Sequence, residues 1–239
     1  FQNNIHGMMV LLEAMVRHGV DKIVFSSTAS VYGEPDAVPI PETAPLRPTN
    51  PYGESKLAME RMMHWVGAAH GIRSVILRYF NVAGAWAQGE IGEDHRPESH
   101  LIPIILQVPL GKRPHITIFG DDYPTPDGTC IRDYLDVVEL ADAHMRAVDY
   151  LRAGGASEVC NLGNGTGFSV RQMVEAAQRV TGREIAVSIG ARRPGDPARL
   201  VASAQRANEV LGWTAHADID SIIASAWAWH SRRPHGFEE

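Results

Sequence analysis

The sequence predicts an α/β fold built on a parallel sheet: segments with apolar residues at helical spacing alternate with short unbroken apolar runs, and Gly and Pro punctuate the joins. Ile5, Met8, Met9, Leu12, Met15 and Val16 predict a helix over 3–18, capped by Gly19. Residues 22–27 (KIVFSS) read as a buried strand. Pro35, Pro39, Pro41, Pro45 and Pro48 make 33–50 a long loop. The next helix begins where Thr49 or Asn50 can cap it and Pro51 suits its first turn; it ends at Gly71, with Ala58, Met62, Trp65 and Val66 as its apolar stripe. A buried strand over 74–80, a polar loop over 84–98 and an apolar segment over 101–110 follow. The remainder reads as strand 116–120, helix 137–152, strand 158–162, helix 169–181 ended by Gly182, strand 185–188, and helices over 201–211 and 219–230.

The 239 residues, 44% hydrophobic and 21% charged, suffice for a sizeable core. A formal net charge of −6 gives no general attraction to nucleic acid or anionic membrane, so an anionic ligand has to be held by local arginines. Cys130 and Cys160 lie in apolar surroundings without CxxC spacing, which predicts reduced thiols in a cytoplasmic protein. No apolar run approaches the ~20 residues of a membrane span, and no basic-then-apolar leader opens the chain. The histidines show no ligand-like spacing, so no metal is predicted.

The chemistry concentrates around Tyr52 and Lys56, four apart at the start of a helix and therefore on one face. A free phenol, with a pKa of ~10, is a poor base at neutral pH; a neighbouring ammonium is expected to pull it down. YxxxK alone also describes an ordinary amphipathic face, but Ser26-Ser27-Thr28 closes a strand just upstream and adds a hydroxyl that both accepts and donates.

Ser26-Ser27-Thr28-Ala29-Ser30-Val31-Tyr32-Gly33, Asn50-Pro51-Tyr52-Gly53-Glu54-Ser55-Lys56, Arg78-Tyr79-Phe80-Asn81-Val82-Ala83-Gly84 and the run from Gly120 to Tyr134 occur in this order. Together they resemble the UDP-glucose 4-epimerase family of the extended short-chain dehydrogenase/reductase superfamily, over essentially the whole chain. The resemblance implies a Rossmann-like doubly wound parallel sheet with its N-terminal strands absent, and a smaller α/β C-terminal domain. Residues 1–85 would be the C-terminal half of the NAD-binding domain. Residues 86–239 would mainly bind the UDP-sugar, with about 130–165 returning to the Rossmann sheet. It implies an NAD-dependent isomerase that interconverts UDP-glucose and UDP-galactose by reversible hydride transfer at C4 through a 4-keto sugar. Tyr52, Lys56 and Thr28 carry over as the proton-handling set, and Asn3, Phe80, Thr28, Tyr52 and Lys56 as cofactor contacts. Arg132 and Arg193 fall to the diphosphate, Asp196 to the ribose hydroxyls, Phe119 to the uracil, and Asn81, His100 and Leu101 to phosphate or sugar. Leu200 would border the N-acetyl region of the hexose pocket. A homodimer would form through the helices at 3–18 and 51–70.

Nucleotide-sugar dehydratases carry an acid and a base next to the strand-end Thr, where this chain has Ala29-Ser30; that leaves a plain hydride shuttle, on UDP-hexoses or on another nucleotide sugar. The family's opening strand, Gly-rich turn and helix, which hold the NAD pyrophosphate, are not among these residues; Gly163-Asn164-Gly165-Thr166-Gly167 has the wrong spacing and position. The sequence thus reads as a fragment or a truncated product, and a non-catalytic, nucleotide-sugar-binding or dimerising remnant is the alternative. Residues 1–239 alone are expected to self-associate, to hold NAD poorly or not at all, and not to turn over.

Overall fold

The computed structural model describes residues 1–87, 89–193 and 195–237. It opens with a π-helical turn (Gln2–His6), α1 (Gly7–His18), β1 (Lys22–Thr28), a 3-10 turn (Ala29–Val31), α2 (Pro51–His70), β2 (Arg73–Tyr79) and β3 (Asn81–Ala83). Then come α3 (Leu101–Gln107), β4 (Ile116–Phe119), β5 (Ile131–Arg132), β6 (Tyr134–Asp136), α4 (Val137–Arg152) and β7 (Glu158–Leu162). It closes with β8 (Phe168–Ser169), α5 (Val170–Thr181), β9 (Val187–Gly190), β10 (Arg199–Leu200), α6 (Gln205–Leu211) and α7 (Ile219–Arg232). No helix among the described residues is long and apolar enough to cross a membrane.

The chain forms two units. The first comprises Phe1–Phe80, Ala141–Gly165 and Ala202–Thr214. Its sheet is three-stranded and wholly parallel, in the order β1-β2-β7, with Thr28 opposite Tyr79 and Tyr79 opposite Leu162. Parallel strands need crossovers, and α2 supplies the one between β1 and β2. Met8, Leu12 and Met15 of α1 pack with Met59 and Met63 of α2 on Phe25, Ile72 and Ile76. The second unit comprises Asn81–Leu140, Thr166–Val201 and Ala215–Glu239. It holds three small sheets: β3 with β6, β4 with β9, and β10-β5-β8. Ile102, Ile105 and Leu106 of α3, Met173, Val174 and Ala177 of α5, and Ile222, Ile223 and Ala226 of α7 form its core.

Local chemistry sets the boundaries. The Asn50 carboxamide oxygen accepts the Gly53 N–H at 2.8 Å, Pro51 opens α2, and Gly71 closes it at φ 75°. Ser169 and Gln172 form a reciprocal capping box on α5.

Several elements differ from expectation. The first helix starts with a wider π turn, so its α portion begins at Gly7. The core face of α2 is Gly53, Leu57, Met59, Glu60 and Met63, whereas Trp65 is 71% exposed, so the stripe at Ala58, Met62, Trp65 and Val66 is not the buried one. The helix expected over 201–211 starts at Gln205, because Arg199 and Leu200 pair with Ile131 and Arg132. The strand expected over 185–188 is shifted to Val187–Gly190, opposite β4. The division between units falls after Phe80 rather than at 85. The stretch rejoining the first unit is Ala141–Gly165, and a second, Ala202–Thr214, also rejoins it.

Candidate active site

In the first unit, Thr28, Tyr52 and Lys56 meet where β1 ends and α2 begins. Thr28 is buried at the strand end, and its hydroxyl accepts the Ser30 N–H at 3.1 Å. The Tyr52 phenol lies close enough to Thr28 for that side chain to pull its pKa down. Gly53 makes this approach possible: a Cβ there would lie 2.5 Å from the Ser30 carbonyl oxygen, so any larger residue would push the first turn of α2 away from Thr28. Ser55 donates to the Tyr52 carbonyl at 2.8 Å and accepts from the Asn4 carboxamide at 2.8 Å, tying the N-terminal turn to this helix. Asn3 is exposed and bonds to Asn4. Phe80 is buried, with its N–H on the Leu162 carbonyl.

Lys56 donates to the Ser26 carbonyl at 3.0 Å, and its ammonium lies 5.0 Å from the Phe25 ring centroid and 5.7 Å from that of Tyr52. The charge therefore sits over the Tyr52 ring, with a carbonyl taking part of its field. Contrary to the sequence-based expectation, the phenol is pushed up: burial raises it first, the Tyr79 phenol adds to this, and Thr28 pulls it partly back. Burial likewise lowers the Lys56 ammonium.

Behind these groups lies a buried polar network. The Arg78 guanidinium of β2 grips the Glu60 carboxylate of α2 with both forks, at 3.1 and 2.6 Å, and each residue is about 95% enclosed. Ser27 of β1 donates to the same carboxylate. Arg78 also donates to the Tyr32 hydroxyl at 3.0 Å, and Tyr32 to the Asn161 side chain at 2.7 Å. Asn161 in turn reaches the Ile40 carbonyl and the Glu42 carboxylate. A bidentate pair of this kind fixes orientation as well as distance.

In the second unit, Arg132 is paired with Asp196, and the Asp196 N–H bonds to the Arg193 carbonyl. The Arg193 guanidinium lies 4.1 Å from the Phe119 ring centroid, and Leu200 stands opposite Arg132 in the β10–β5 register. These five expected ligand contacts are thus brought together, though Arg132 pairs with Asp196 rather than with its neighbour Asp133. The Asn81 side chain lies near the Tyr134 hydroxyl and lowers its pKa in part, against burial, which raises it. His100 and Leu101 stand at the start of α3 in a separate group. There His95, Glu98 and His100 place ligand atoms within 4.8 Å of one another, although sequence spacing suggested no metal ligands.

The family model described as "NAD dependent epimerase/dehydratase family" matches residues 1–163. The UDP-glucose 4-epimerase of Lacticaseibacillus casei is 58% identical over 99% of this chain, which spans 72% of that protein. The chain belongs to the NAD dependent epimerase/dehydratase family. A UDP-glucose 4-epimerase crystal structure superposes with a TM-score of 0.97 at 54% identity, covering all of this chain and 73% of that one. The Bifidobacterium longum UDP-glucose 4-epimerase, solved in complex with NAD+ and UDP, gives 0.93 at 42% identity over 99% of this chain and 71% of that one.

In this epimerase/dehydratase chain, sequence reasoning missed Glu60, Arg78, Tyr32 and Asn161 as supports of the site. Glu60 stands among Leu57, Met59 and Met63, and Arg78 directly follows Val75-Ile76-Leu77, so each is a charge in a segment that otherwise reads as buried. Such a charge has to be paired, and that signal was available.

Proposed function

We propose that this protein interconverts UDP-glucose and UDP-galactose by inverting C4 of the hexose, with NAD as its cofactor. The observation that carries the reading is the convergence of Thr28, Tyr52 and Lys56, held from behind by the Glu60–Arg78 pair.

The donor set fits the nicotinamide-ribose end of NAD. The Ser26 carbonyl engages one of three ammonium N–H groups on Lys56, which leaves two donors for a vicinal diol, and Tyr52, a half-exposed residue, stands beside them. Asn3 and Phe80 are the further contacts assigned to the cofactor. When bound, NAD accepts and returns the C4 hydrogen with its electron pair and brings a positively charged ring that favours phenolate.

Tyr52 takes the proton of the sugar 4-hydroxyl and later returns it, with Thr28 bridging by hydrogen bond. Lys56 opposes, by its charge, the upward push of burial on the phenol. Arg132 and Arg193 hold the diphosphate, Asp196 the uridine ribose and Phe119 the uracil, with Arg193 already aligned on the Phe119 face. Asn81, His100, Leu101 and Leu200 border phosphate and hexose. Holding UDP firmly and hexose loosely allows a 4-keto sugar to present its other face before reduction. Against a dehydratase stands the 3-10 turn after Thr28, where Ala29 and Ser30 offer no carboxylate and the Ser30 hydroxyl is bonded to Thr28. The relatives' names, all UDP-glucose 4-epimerases among those cited, agree with this choice.

The test is conversion of UDP-galactose, in the presence of NAD, by the full-length protein that carries these residues, since residues 1–239 alone are expected not to turn over. UDP-glucose rising to equilibrium supports the reading, whereas a dehydrated product, or no change, removes it.

Hexose choice rests on Leu200, which is smaller than Tyr, so weak activity on the UDP-N-acetylhexosamines is expected beside the main pair. Leu200→Tyr should suppress that weak activity selectively. Equal loss on both pairs would show that Leu200 does not face the N-acetyl group.

Self-association belongs to the same reading. Met9, Leu12, Val16, Met62, Trp65 and Val66 line a groove of about 630 Å³ between α1 and α2, and its apolar face is open in the single chain. A second copy presenting the same pair of helices would cover it as a four-helix bundle. Trp65→Glu should place a charge at the centre of that contact and yield monomers by light scattering. A dimer that persists would assign the interface elsewhere.

A further inference from the structure

We propose that the segment Glu93–His100 is a binding site for a zinc-class divalent cation, with His95, Glu98 and His100 as ligands and Glu93 as a fourth. The proposal does not depend on the reaction assigned above, although His100, given there as a phosphate or hexose contact, would be taken up by the ion. The His100 Nδ1 lies 2.6 Å from a Glu93 carboxylate oxygen and 2.9 Å from one of Glu98, and the His95 Nδ1 is 4.0 Å from the same Glu98 oxygen. The two imidazoles stand 5.1 Å apart between centroids, inclined at 64°.

Zinc takes nitrogen and carboxylate ligands at about 2.0–2.2 Å, so the edges of its tetrahedron are about 3.3–3.5 Å. The ligand atoms of His95, Glu98 and His100 lie within 4.8 Å of one another, at most about 1.5 Å beyond those edges, Glu93 joins them through its contact with His100, and His95, half exposed, has room to close in. Two imidazoles with two carboxylates select zinc and its transition-metal neighbours over magnesium or calcium, which prefer all-oxygen shells. Charge also balances, since two carboxylates neutralise a divalent ion at a place where, among the described residues, no arginine or lysine pairs with them. Arg96 is paired with Asp94, and Lys112 with the Pro234 carbonyl.

The carboxylates are held in place. Glu98 accepts the Ser99 and His100 backbone N–H groups at 2.7 Å each. The Glu93 carbonyl takes the Trp229 indole N–H at 2.9 Å, which fixes the start of the segment. Pre-oriented ligands lose little freedom on binding. A cavity of about 390 Å³ lies alongside, lined by Glu93, His95, Glu98 and His230, with room for a water as a further ligand. All four ligands come from eight consecutive residues, so the bound ion would fasten this loop to the start of α3.

The experiment titrates zinc into EDTA-stripped residues 1–239 against a chromogenic chelator. One equivalent at micromolar or tighter affinity, undisturbed by millimolar magnesium, is expected. His95→Ala and Glu98→Gln should each weaken it by at least about tenfold, the lower end of what loss of even an outer-shell partner costs. His18→Ala and His115→Ala should leave it unchanged. Melting curves in EDTA that match the parent assign the loss to the metal rather than to folding. Absence of binding, or affinity retained in both His95→Ala and Glu98→Gln, overturns the proposal and leaves a hydrogen-bonded cluster only.

Discussion

In the full-length protein, Tyr52→Phe should lower the interconversion of UDP-galactose and UDP-glucose by at least ~100-fold, the usual cost of losing a general base. The substitution removes one half-exposed hydroxyl, and Thr28 keeps its bonds to Ser30, so the thermal midpoint should stay near that of the parent. Because burial and the Tyr79 phenol raise the Tyr52 phenol while Thr28 only partly offsets them, the base form is the minor one at neutral pH and grows as pH rises. Parent turnover should therefore climb with pH through the neutral range, while residual turnover of the Phe variant stays flat. Near-parent epimerisation by the Phe variant would remove Tyr52 from its assigned role.

The largest effect on stability should come from Arg78. Arg78→Met leaves the Glu60 carboxylate enclosed without its cation and also removes a donor to Tyr32. Breaking a buried pair from one side costs about 3–5 kcal/mol, because the remaining charge is neither hydrated nor compensated. Denaturant unfolding should show that loss at an unchanged m-value. The double variant Glu60→Leu with Arg78→Met should recover most of it, since an apolar pair of similar volume has no charge to strand. A loss below about 1 kcal/mol for Arg78→Met alone would mean that water reaches Glu60.

What was legible in the sequence was local. Asn50, Pro51 and Gly71 mark the ends of α2 because each acts on its own turn of backbone, and Tyr52 with Lys56 is visible because a helix repeats every 3.6 residues. Strands of two or three residues, such as Ile131–Arg132 and Arg199–Leu200, are too short to show alternation, and a partner strand alone defines them. The stripe on α2 was misassigned because Trp65 looks like core while facing outward; hydrophobicity does not say which apolar surface covers a residue. The Arg132–Asp196 pairing joins residues 64 apart in sequence, and the network linking Ser27, Glu60, Arg78 and Asn161 joins three strands and a helix. The site residues themselves were named by resemblance to a family, and the direction of the Tyr52 shift needed coordinates.

Each unit is assembled from three stretches of chain, and the last stretch of the first unit is Ala202–Thr214. On a ribosome the first unit therefore cannot close until residue 214 has emerged, even though β1, α2 and β2 are made early. At ~5–20 residues per second, the interval between synthesis of Tyr79 and of Leu162 is roughly 4–17 s, during which the β2 edge awaits β7. Vectorial synthesis thus exposes an incomplete parallel sheet to the cell's chaperones. For the same reason neither unit corresponds to one contiguous segment that a gene fragment could encode.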